Sequence, residues 1–250
     1  MPRLVHDGVE IAFLDEGEGE PTVLVHGFAS NKEVNWVYPG WVTTLKRAGR
    51  RVIALDNRGH GESSKLYDPA AYHSATMAED VRALLDHLGL ARADVMGYSM
   101  GARNTAFLVV AHPERVRSAV FGGLGMGLIE GVGDPEMIAR ALEAPALAEV
   151  SDPTGQMFRA FAEKTRSDLR ALAACIRGAR QTLSRDEVAR IGVPVLVAVG
   201  SMDAVGGSPD RLAALIPGAQ ALVIPGRDHM LAVGDRAFKA RVVDFFGARP

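Results

Sequence analysis

Short apolar runs that alternate with longer amphipathic segments are the feature of this sequence that most restricts its fold. Seven runs rich in Val, Ile and Leu fit β-strands, at residues 9–14, 22–25, 51–55, 93–96, 117–121, 193–199 and 221–224. Several are continuously apolar, as strands covered on both faces are. Strands that alternate with helices form βαβ units, so the sequence predicts an α/β fold with a mostly parallel sheet.

The alternation is interrupted between residues 128 and 190, where helical periodicity continues without a strand-like run. Apolar residues recur at helical spacing from Met137 to Ile176. A long helical stretch between two strands predicts a cap on the sheet rather than a separate fold. The expected division is a core of residues 1–127 and 192–250, with a helical cap, or lid, of residues 128–191.

Composition excludes several classes of function. Of the 250 residues 48% are hydrophobic, and 28 Lys and Arg against 30 Asp and Glu leave a net charge of −2. That balance argues against nucleic acid as a partner, which needs clustered basic residues. The single Cys175 cannot form an intramolecular disulfide. No apolar stretch suggests a membrane span and no signal peptide is recognisable, so the expected location is the cytoplasm.

A Gly-x-Ser-x-Gly pentapeptide at residues 97–101 identifies the candidate nucleophile. It follows the strand-like run 93–96 and precedes a helical segment. Nucleophilic catalysis of this type needs a serine on a sharp strand-to-helix turn, where the hydroxyl is exposed at the carboxyl end of the strand. Flanking glycines let the backbone turn tightly. Ser99 is therefore the predicted nucleophile.

A serine hydroxyl is a weak nucleophile and needs a base and an orienting acid. His229 follows the predicted strand 221–224, which places it at the carboxyl edge of the sheet, where open α/β folds assemble their sites. Asp203 follows the strand 193–199 by a short turn. Neighbouring side chains in a loop tend to point apart, so Asp203 is a better partner for His229 than Asp228 is.

A tetrahedral intermediate also needs backbone N–H donors for its negatively charged oxygen. The amide of Met100, directly after the serine, is one expected donor. The amide of Phe28, in the loop after the strand 22–25, is the other. These two amides are the predicted oxyanion hole.

Five motifs in this order resemble those of the α/β-hydrolase fold superfamily, and the likeness covers nearly the whole chain. The motifs lie at residues 26–28, 56–63, 97–101, 200–203 and 226–229. The resemblance implies an eight-stranded sheet flanked by helices, with the cap inserted after the sixth strand. It assigns a mainly architectural role to the Asp-x-Arg-Gly-x-Gly-x-Ser loop at 56–63. Residues 29–36 are more polar than the loop that often follows His-Gly in this family.

The motifs also limit the chemistry. A serine at position 99 argues against haloalkane dehalogenases and epoxide hydrolases of this fold, which use an aspartate nucleophile. No His-Glu-x-x-His or Gly-x-Gly-x-x-Gly motif occurs, so no metal and no dinucleotide cofactor is expected.

The leading hypothesis is a serine carboxylesterase whose small-molecule substrate is an apolar, uncharged ester. The residues expected to line the substrate pocket are apolar and stand in or near the cap: Met126, Leu128, Met157, Phe158 and Phe161. The same scaffold is compatible with hydrolysis of carbon–carbon bonds, cofactor-free perhydrolysis and acyl transfer. A ligand receptor or regulator built on the hydrolase fold is a further alternative, because the fold and the triad do not define the substrate.

Overall fold

The computed structural model describes residues 1–248, so residues 249 and 250 of the predicted core segment 192–250 lie outside the described part. Eight strands form one sheet: β1 (Arg3–His6), β2 (Val9–Glu16), β3 (Glu20–Val25), β4 (Arg50–Leu55), β5 (Ala93–Tyr98), β6 (Val116–Gly122), β7 (Val195–Gly200) and β8 (Gln220–Ile224). Their order is β1-β2-β4-β3-β5-β6-β7-β8. Only the pairs β1–β2 and β2–β4 are antiparallel. The predicted α/β class and mostly parallel eight-stranded sheet are confirmed.

The strand β1 is the one that the apolar runs did not reveal. Within its four residues only Leu4 is buried, and the strand pairs with β2 at the edge of the sheet. An edge strand of this length buries too little apolar surface to show a pattern in the sequence.

Ten α-helices accompany the sheet in the described part of the chain: α1 (Trp41–Arg47), α2 (Ser74–His87), α3 (Met100–Ala111), α4 (Gly127–Glu130), α5 (Pro135–Glu143), α6 (Pro153–Lys164), α7 (Leu169–Gly178), α8 (Arg185–Ala189), α9 (Pro209–Ala213) and α10 (Arg236–Gly247). Helices α1 and α10 cover one face of the sheet, and α2, α3 and α9 cover the other. No helix among residues 1–248 is long and apolar enough to cross a membrane.

The two-sided cover explains why the central strands are continuously apolar. In β3, Val23 and Val25 belong to the core beneath α2 and α3, whereas Leu24 between them belongs to the core beneath α1 and α10. Because successive side chains point to opposite faces, a strand between two helix layers needs an apolar residue at every position.

Helices α4 to α8 all lie between β6 and β7, as the resemblance implies for a cap after the sixth strand. Helix α5 packs against both α6 and α7, and the three helices share a third apolar cluster with loops at the sheet edge. In that cluster Phe158 and Leu172 accompany Phe28 and Met100. The helical segment therefore covers the carboxyl ends of β3 and β5, while its division from the core at residues 128 and 191 stays a prediction.

Candidate active site

Ser99 lies between the end of β5 and the start of α3. Its backbone has φ 54° and ψ −114°, a conformation that L residues rarely adopt. The Ser99 amide donates to the Gly122 carbonyl at 2.7 Å, and its carbonyl accepts from the Arg103 amide at 3.1 Å. The turn is therefore held from the neighbouring strand β6 and from the first turn of α3, which sustains a strained conformation.

The two flanking glycines permit this turn because no side chain would fit at either position. A Cβ atom on Gly97 would stand 2.1 Å from the Gly101 carbonyl oxygen, and one on Gly101 would stand 2.0 Å from the carbonyl oxygen of Val25. The close approach of α3 to β3 and β5 places the N-terminus of α3 at the carboxyl edge of the sheet.

The structure brings Ser99, His229 and Asp203 together. The His229 Nε2 atom lies 3.0 Å from Ser99 Oγ, and His229 Nδ1 lies 2.8 Å from Asp203 Oδ2. Ser99 follows β5, His229 follows β8 and Asp203 follows β7, and the carboxyl ends of these parallel strands lie at one edge of the sheet. The three side chains form a continuous hydrogen-bonded chain from carboxylate to hydroxyl.

Asp203 is held in its ionised form by its surroundings. Burial raises the pKa of Asp203, but the hydrogen bond and charge of His229 and the amides of Gly206 and Val205 bring it below its usual value. Those two amides donate to Oδ1 at 2.9 and 2.8 Å. Asp228 stabilises its own loop instead, because its Oδ1 accepts hydrogen bonds from the amides of Met230 and Leu231.

Tyr98 is a supporting residue that sequence reasoning did not identify. Its hydroxyl donates to the His229 carbonyl at 2.6 Å, and its ring lies 5.6 Å from the imidazole. It therefore links the turn that carries Ser99 to the loop that carries His229. The Gly-Tyr-Ser sequence gives no signal of this contact, which joins residues 131 positions apart.

The amides of Phe28 and Met100 are free donors beside this chain of side chains. Among residues 1–248 neither amide has a hydrogen-bond acceptor. Met100 is the first residue of α3, where backbone N–H groups have no acceptor within the helix. Phe28 follows Gly27, whose Cβ position would lie 3.4 Å from the Cβ atom of Ser99. Both predicted donors therefore border the serine.

The loop that carries Phe28 is held by contacts from two directions. The Gly27 amide donates to Asn35 Oδ1 at 3.0 Å, and the carbonyl of Ala29, whose φ is 58°, accepts from Thr165 Oγ1 at 3.0 Å. Thr165 directly follows α6, so a residue of the predicted cap fixes the backbone next to a predicted oxyanion donor. Nothing in the sequence indicated either Asn35 or Thr165.

The loop at residues 56–63 has the architectural role that the resemblance implies. Asp56 accepts from Lys32 Nζ at 2.7 Å, and Arg58 donates twice to Asp80, each time at 2.7 Å. The Lys32 and Asp56 side chains are completely buried. The polar sequence at 29–36 is thereby explained in part, since Lys32 neutralises a buried aspartate.

A cavity of about 780 Å³ opens above Ser99 and His229. This is in the range of small-molecule sites, roughly 300–1,000 Å³. Met157, Phe158 and Phe161 from α6 all line it, as predicted for the pocket. The Phe158 ring meets the Phe28 ring at 5.8 Å, so the predicted cap touches the oxyanion loop.

Two of the predicted pocket residues lie elsewhere. Met126 and Leu128 are 1% and 0% exposed, and both belong to the core beneath α2, α3 and α9 rather than to the cavity wall. Their inclusion in the pocket was wrong. Helical spacing shows that a residue is buried but not whether it faces a cavity or a core, and α4 turns these two side chains inwards.

Comparisons with known proteins support the fold described above. The family described as the alpha/beta hydrolase fold matches residues 20–143. A dihydrolipoyllysine-residue acetyltransferase component of the acetoin cleaving system from Pseudomonas putida is 35% identical over 229 residues, which is 85% of this chain but only 59% of that protein. A non-heme chloroperoxidase from Kitasatospora aureofaciens is 29% identical over 92% of this chain and 93% of its own length. The crystal structure of a hydrolase from Pseudomonas aeruginosa PA01 superposes with a TM-score of 0.80 at 29% identity, covering 99% of this chain and 98% of that one.

Proposed function

Because the chain belongs to the α/β-hydrolase fold superfamily, we propose that it is a serine hydrolase that cleaves carboxylic esters. The observation that carries the proposal is the hydrogen-bonded chain from Asp203 through His229 to Ser99, beside two free backbone amides. Nucleophile, base, orienting acid and oxyanion donors are the groups that acyl transfer to a hydroxyl requires.

In the first half of the reaction an acyl-enzyme forms. His229 Nε2 takes the proton of the Ser99 hydroxyl as Ser99 Oγ forms a bond to the ester carbonyl carbon. The carbonyl oxygen becomes an oxyanion that accepts from the Phe28 and Met100 amides. The bond to the alcohol oxygen then breaks, and the imidazolium of His229 returns its proton to the leaving alcohol.

In the second half water replaces the alcohol. His229 takes a proton from water as the water oxygen attacks the acyl carbon, and the Ser99 Oγ–carbon bond breaks with return of that proton to the serine. Asp203 stays ionised throughout, because its pKa lies below the usual value, and it stabilises the imidazolium in both halves.

Replacement of the nucleophile tests this mechanism. Ser99→Ala should lower kcat for a short p-nitrophenyl ester by about ten-thousandfold or more, as removal of a triad residue does. A fluorophosphonate probe should label the wild type on Ser99, as read by peptide mass spectrometry. Ser184→Ala is the matched control, because Ser184 is an exposed N-cap of α8 and lies outside the cavity. Near-normal turnover by Ser99→Ala would exclude Ser99 as the nucleophile.

Perhydrolysis on the same acyl-enzyme is a second candidate, favoured by the full-length similarity to a non-heme chloroperoxidase. Hydrogen peroxide would then replace water in the second half and release a peracid. Adding peroxide to the ester assay separates the two candidates, since a perhydrolase forms peracid in preference to carboxylic acid. Failure to cleave p-nitrophenyl esters of any acyl length would instead favour carbon–carbon hydrolysis or a receptor role.

A further inference from the structure

Two arginines stand together in the wall of the cavity next to the candidate nucleophile. Arg103 follows Ser99 by four residues on α3, which is one helical turn or about 6 Å along the axis. Arg180 follows the end of α7 in the predicted cap. Both line the cavity, and Arg103 is only 2% exposed.

Neither guanidinium has a carboxylate partner. Arg103 donates to the carbonyls of Gln181 and Gly127, and Arg180 Nη1 donates to the carbonyl of Val132 at 3.0 Å. The Nε atom of Arg180 is buried without a hydrogen-bond acceptor. Among residues 1–248 no carboxylate oxygen of Asp or Glu lies within 4.0 Å of a guanidinium nitrogen of either arginine.

The surroundings make this arrangement electrostatically costly in the free protein. Burial, and then the charge of Arg180, lower the pKa of Arg103 to about 10. Burial also lowers the pKa of Arg180, against the opposing effects of Cys175 and Asp134. Arg103 is buried and Arg180 is half-buried. Two like charges so poorly solvated and without a carboxylate hydrogen bond destabilise each other, and a bound anion would relieve both.

The remaining charges of the cavity do not supply that anion. Lys164 adds a third cation to the lining. Asp228 also lines the cavity, but its side chain is exposed and accepts amides of its own loop. Asp134 caps the N-terminus of α5 by accepting the amide of Glu136. A ligand is therefore the remaining source of negative charge.

We propose that Arg103 and Arg180 bind a carboxylate on the acyl portion of the substrate, so that the enzyme prefers half-esters of dicarboxylic acids. This inference rests on the proposed ester hydrolysis and names its substrate class. A guanidinium matches a carboxylate with paired N–H donors, and such charge-assisted hydrogen bonds are stronger in a water-poor cavity. The placement one helical turn from Ser99 lets one molecule present its carbonyl to the serine and its carboxylate to the arginines. The proposal differs from the expectation of an apolar, uncharged ester, and comparison of charged and neutral esters decides between the two.

The test compares two substrates that differ only in charge. Mono-p-nitrophenyl adipate carries the carboxylate, and its methyl ester at the other end is the neutral counterpart. The wild type should show a kcat/KM at least about tenfold higher for the anionic ester, because each charge-assisted hydrogen bond gives roughly that factor or more. Half-esters of glutaric and pimelic acid then define the preferred spacing between carbonyl and carboxylate.

Variants assign the preference to the arginines. Arg103→Met and Arg180→Met should each lower kcat/KM for the anionic ester by about tenfold to a hundredfold, mainly through KM. The neutral ester should lose much less, so the ratio of kcat/KM for the anionic ester to that for the neutral ester should fall about tenfold or more. Arg211→Met is the matched control, since it removes an exposed arginine of α9 outside the cavity. A merely structural role for Arg103, as a tie between α3 and the carbonyl of Gln181, would lower both activities equally. If Arg103→Met fails to fold, Arg180→Met decides alone.

Binding of adipate itself separates this inference from the proposed function. Adipate should raise the Tm of both the wild type and Ser99→Ala, and Arg180→Met should abolish the rise. Equal turnover of charged and neutral esters, or a Tm unaffected by adipate, would overturn the inference and leave ester hydrolysis standing. If the wild type cleaves no ester but its Tm rises with adipate, ester hydrolysis is overturned and the carboxylate-binding site stands.

Discussion

Buried charge is treated in opposite ways in two regions of the molecule. In the loop after β4, Asp56 is satisfied by Lys32 and by two backbone amides, and Arg58 by Asp80. In the cavity wall, Arg103 and Arg180 bond only to carbonyl oxygens. In the loop, the charges of Asp56 and Arg58 are balanced by partners within the protein, which stabilises the fold. The arrangement in the cavity wall is complete only with an anion, so we infer that it is kept for a ligand.

Asp203 is the strongest challenge to this division, because it is a buried carboxylate with hydrogen-bond partners within the protein and yet belongs to the candidate active site. Asp203→Asn should lower kcat by about a thousandfold or more, since an amide neither stabilises the imidazolium nor holds the same tautomer of His229. The free energy of unfolding should change by only about 1 kcal/mol, as the amides of Val205 and Gly206 still find an acceptor. Ester kinetics and urea denaturation measure the two effects. A large loss of stability with little loss of kcat would assign Asp203 to the fold instead.

Replacing an arginine by methionine in each region, Arg58 in the loop and Arg103 in the cavity wall, compares the two regions directly. The loop variant should lose more stability. Arg58→Met leaves the Asp80 carboxylate buried with only the His6 ring as a hydrogen-bond partner among residues 1–248, so the free energy of unfolding should fall by about 3–5 kcal/mol. Urea denaturation at neutral pH measures this. The control is Arg51→Met, which breaks a pair with Asp15 that is partly exposed and should cost about 1 kcal/mol or less. Equal losses in the two variants would remove the distinction between buried and exposed pairs.

Acid should weaken the loop region specifically. Burial raises the pKa of Asp56, but the charge of His26, the amides of Glu62 and Lys32 and the Lys32 ammonium bring it below the usual value of about 3.9. A carboxyl with a lowered pKa in the folded state contributes stability above the unfolded pKa and loses it as pH falls through the folded pKa.

The free energy of unfolding of the wild type should therefore decline as pH falls below about 4, by roughly 1.4 kcal/mol for each unit of lowering in the pKa. Asp56→Asn should start less stable at neutral pH and decline less steeply. Denaturation curves between neutral pH and pH of about 3 give both slopes. Identical slopes would show that Asp56 does not contribute to the acid sensitivity.

The smallest effect on stability is expected at Arg103. Arg103→Met removes hydrogen bonds to two carbonyls but also removes an unpaired buried charge, so the free energy of unfolding should change by about 1 kcal/mol or less. Urea denaturation beside Arg58→Met is the measurement. A loss as large as that of Arg58→Met would mean that the two regions are alike.

Much of the sheet could be predicted because the central strands are buried on both sides. The continuous apolar runs of β3, β4 and β7 can satisfy two helix layers only as parallel strands. The strand β1 could not be predicted, since a mostly exposed edge strand has no such pattern. The proximity of Ser99, Asp203 and His229 in the fold could be predicted, because each lies in the loop after a recognisable strand and parallel strands end at one edge of the sheet.

The cavity wall could not be predicted in the same way. Apolar periodicity shows burial but not direction, so Phe158 was assigned to the cavity correctly and Met126 incorrectly. Arg103 stands amid Ala, Asn and Thr in a helix otherwise rich in apolar residues, and a charge in that position is a signal that sequence reasoning passed over. Whether such a charge has a partner depends on residues distant in sequence, and only the folded structure reveals that it has none.

The distance along the chain between Ser99 and His229 governs when the serine becomes reactive. The two residues are 130 positions apart, and the base arrives only with the loop after β8, which pairs with β7 at the far edge of the sheet. A fragment that ends before β8 carries the serine without its base. We expect such a fragment to be inactive during synthesis or after proteolysis, so that the proposed ester cleavage would report completion of the sheet and not the presence of any single motif.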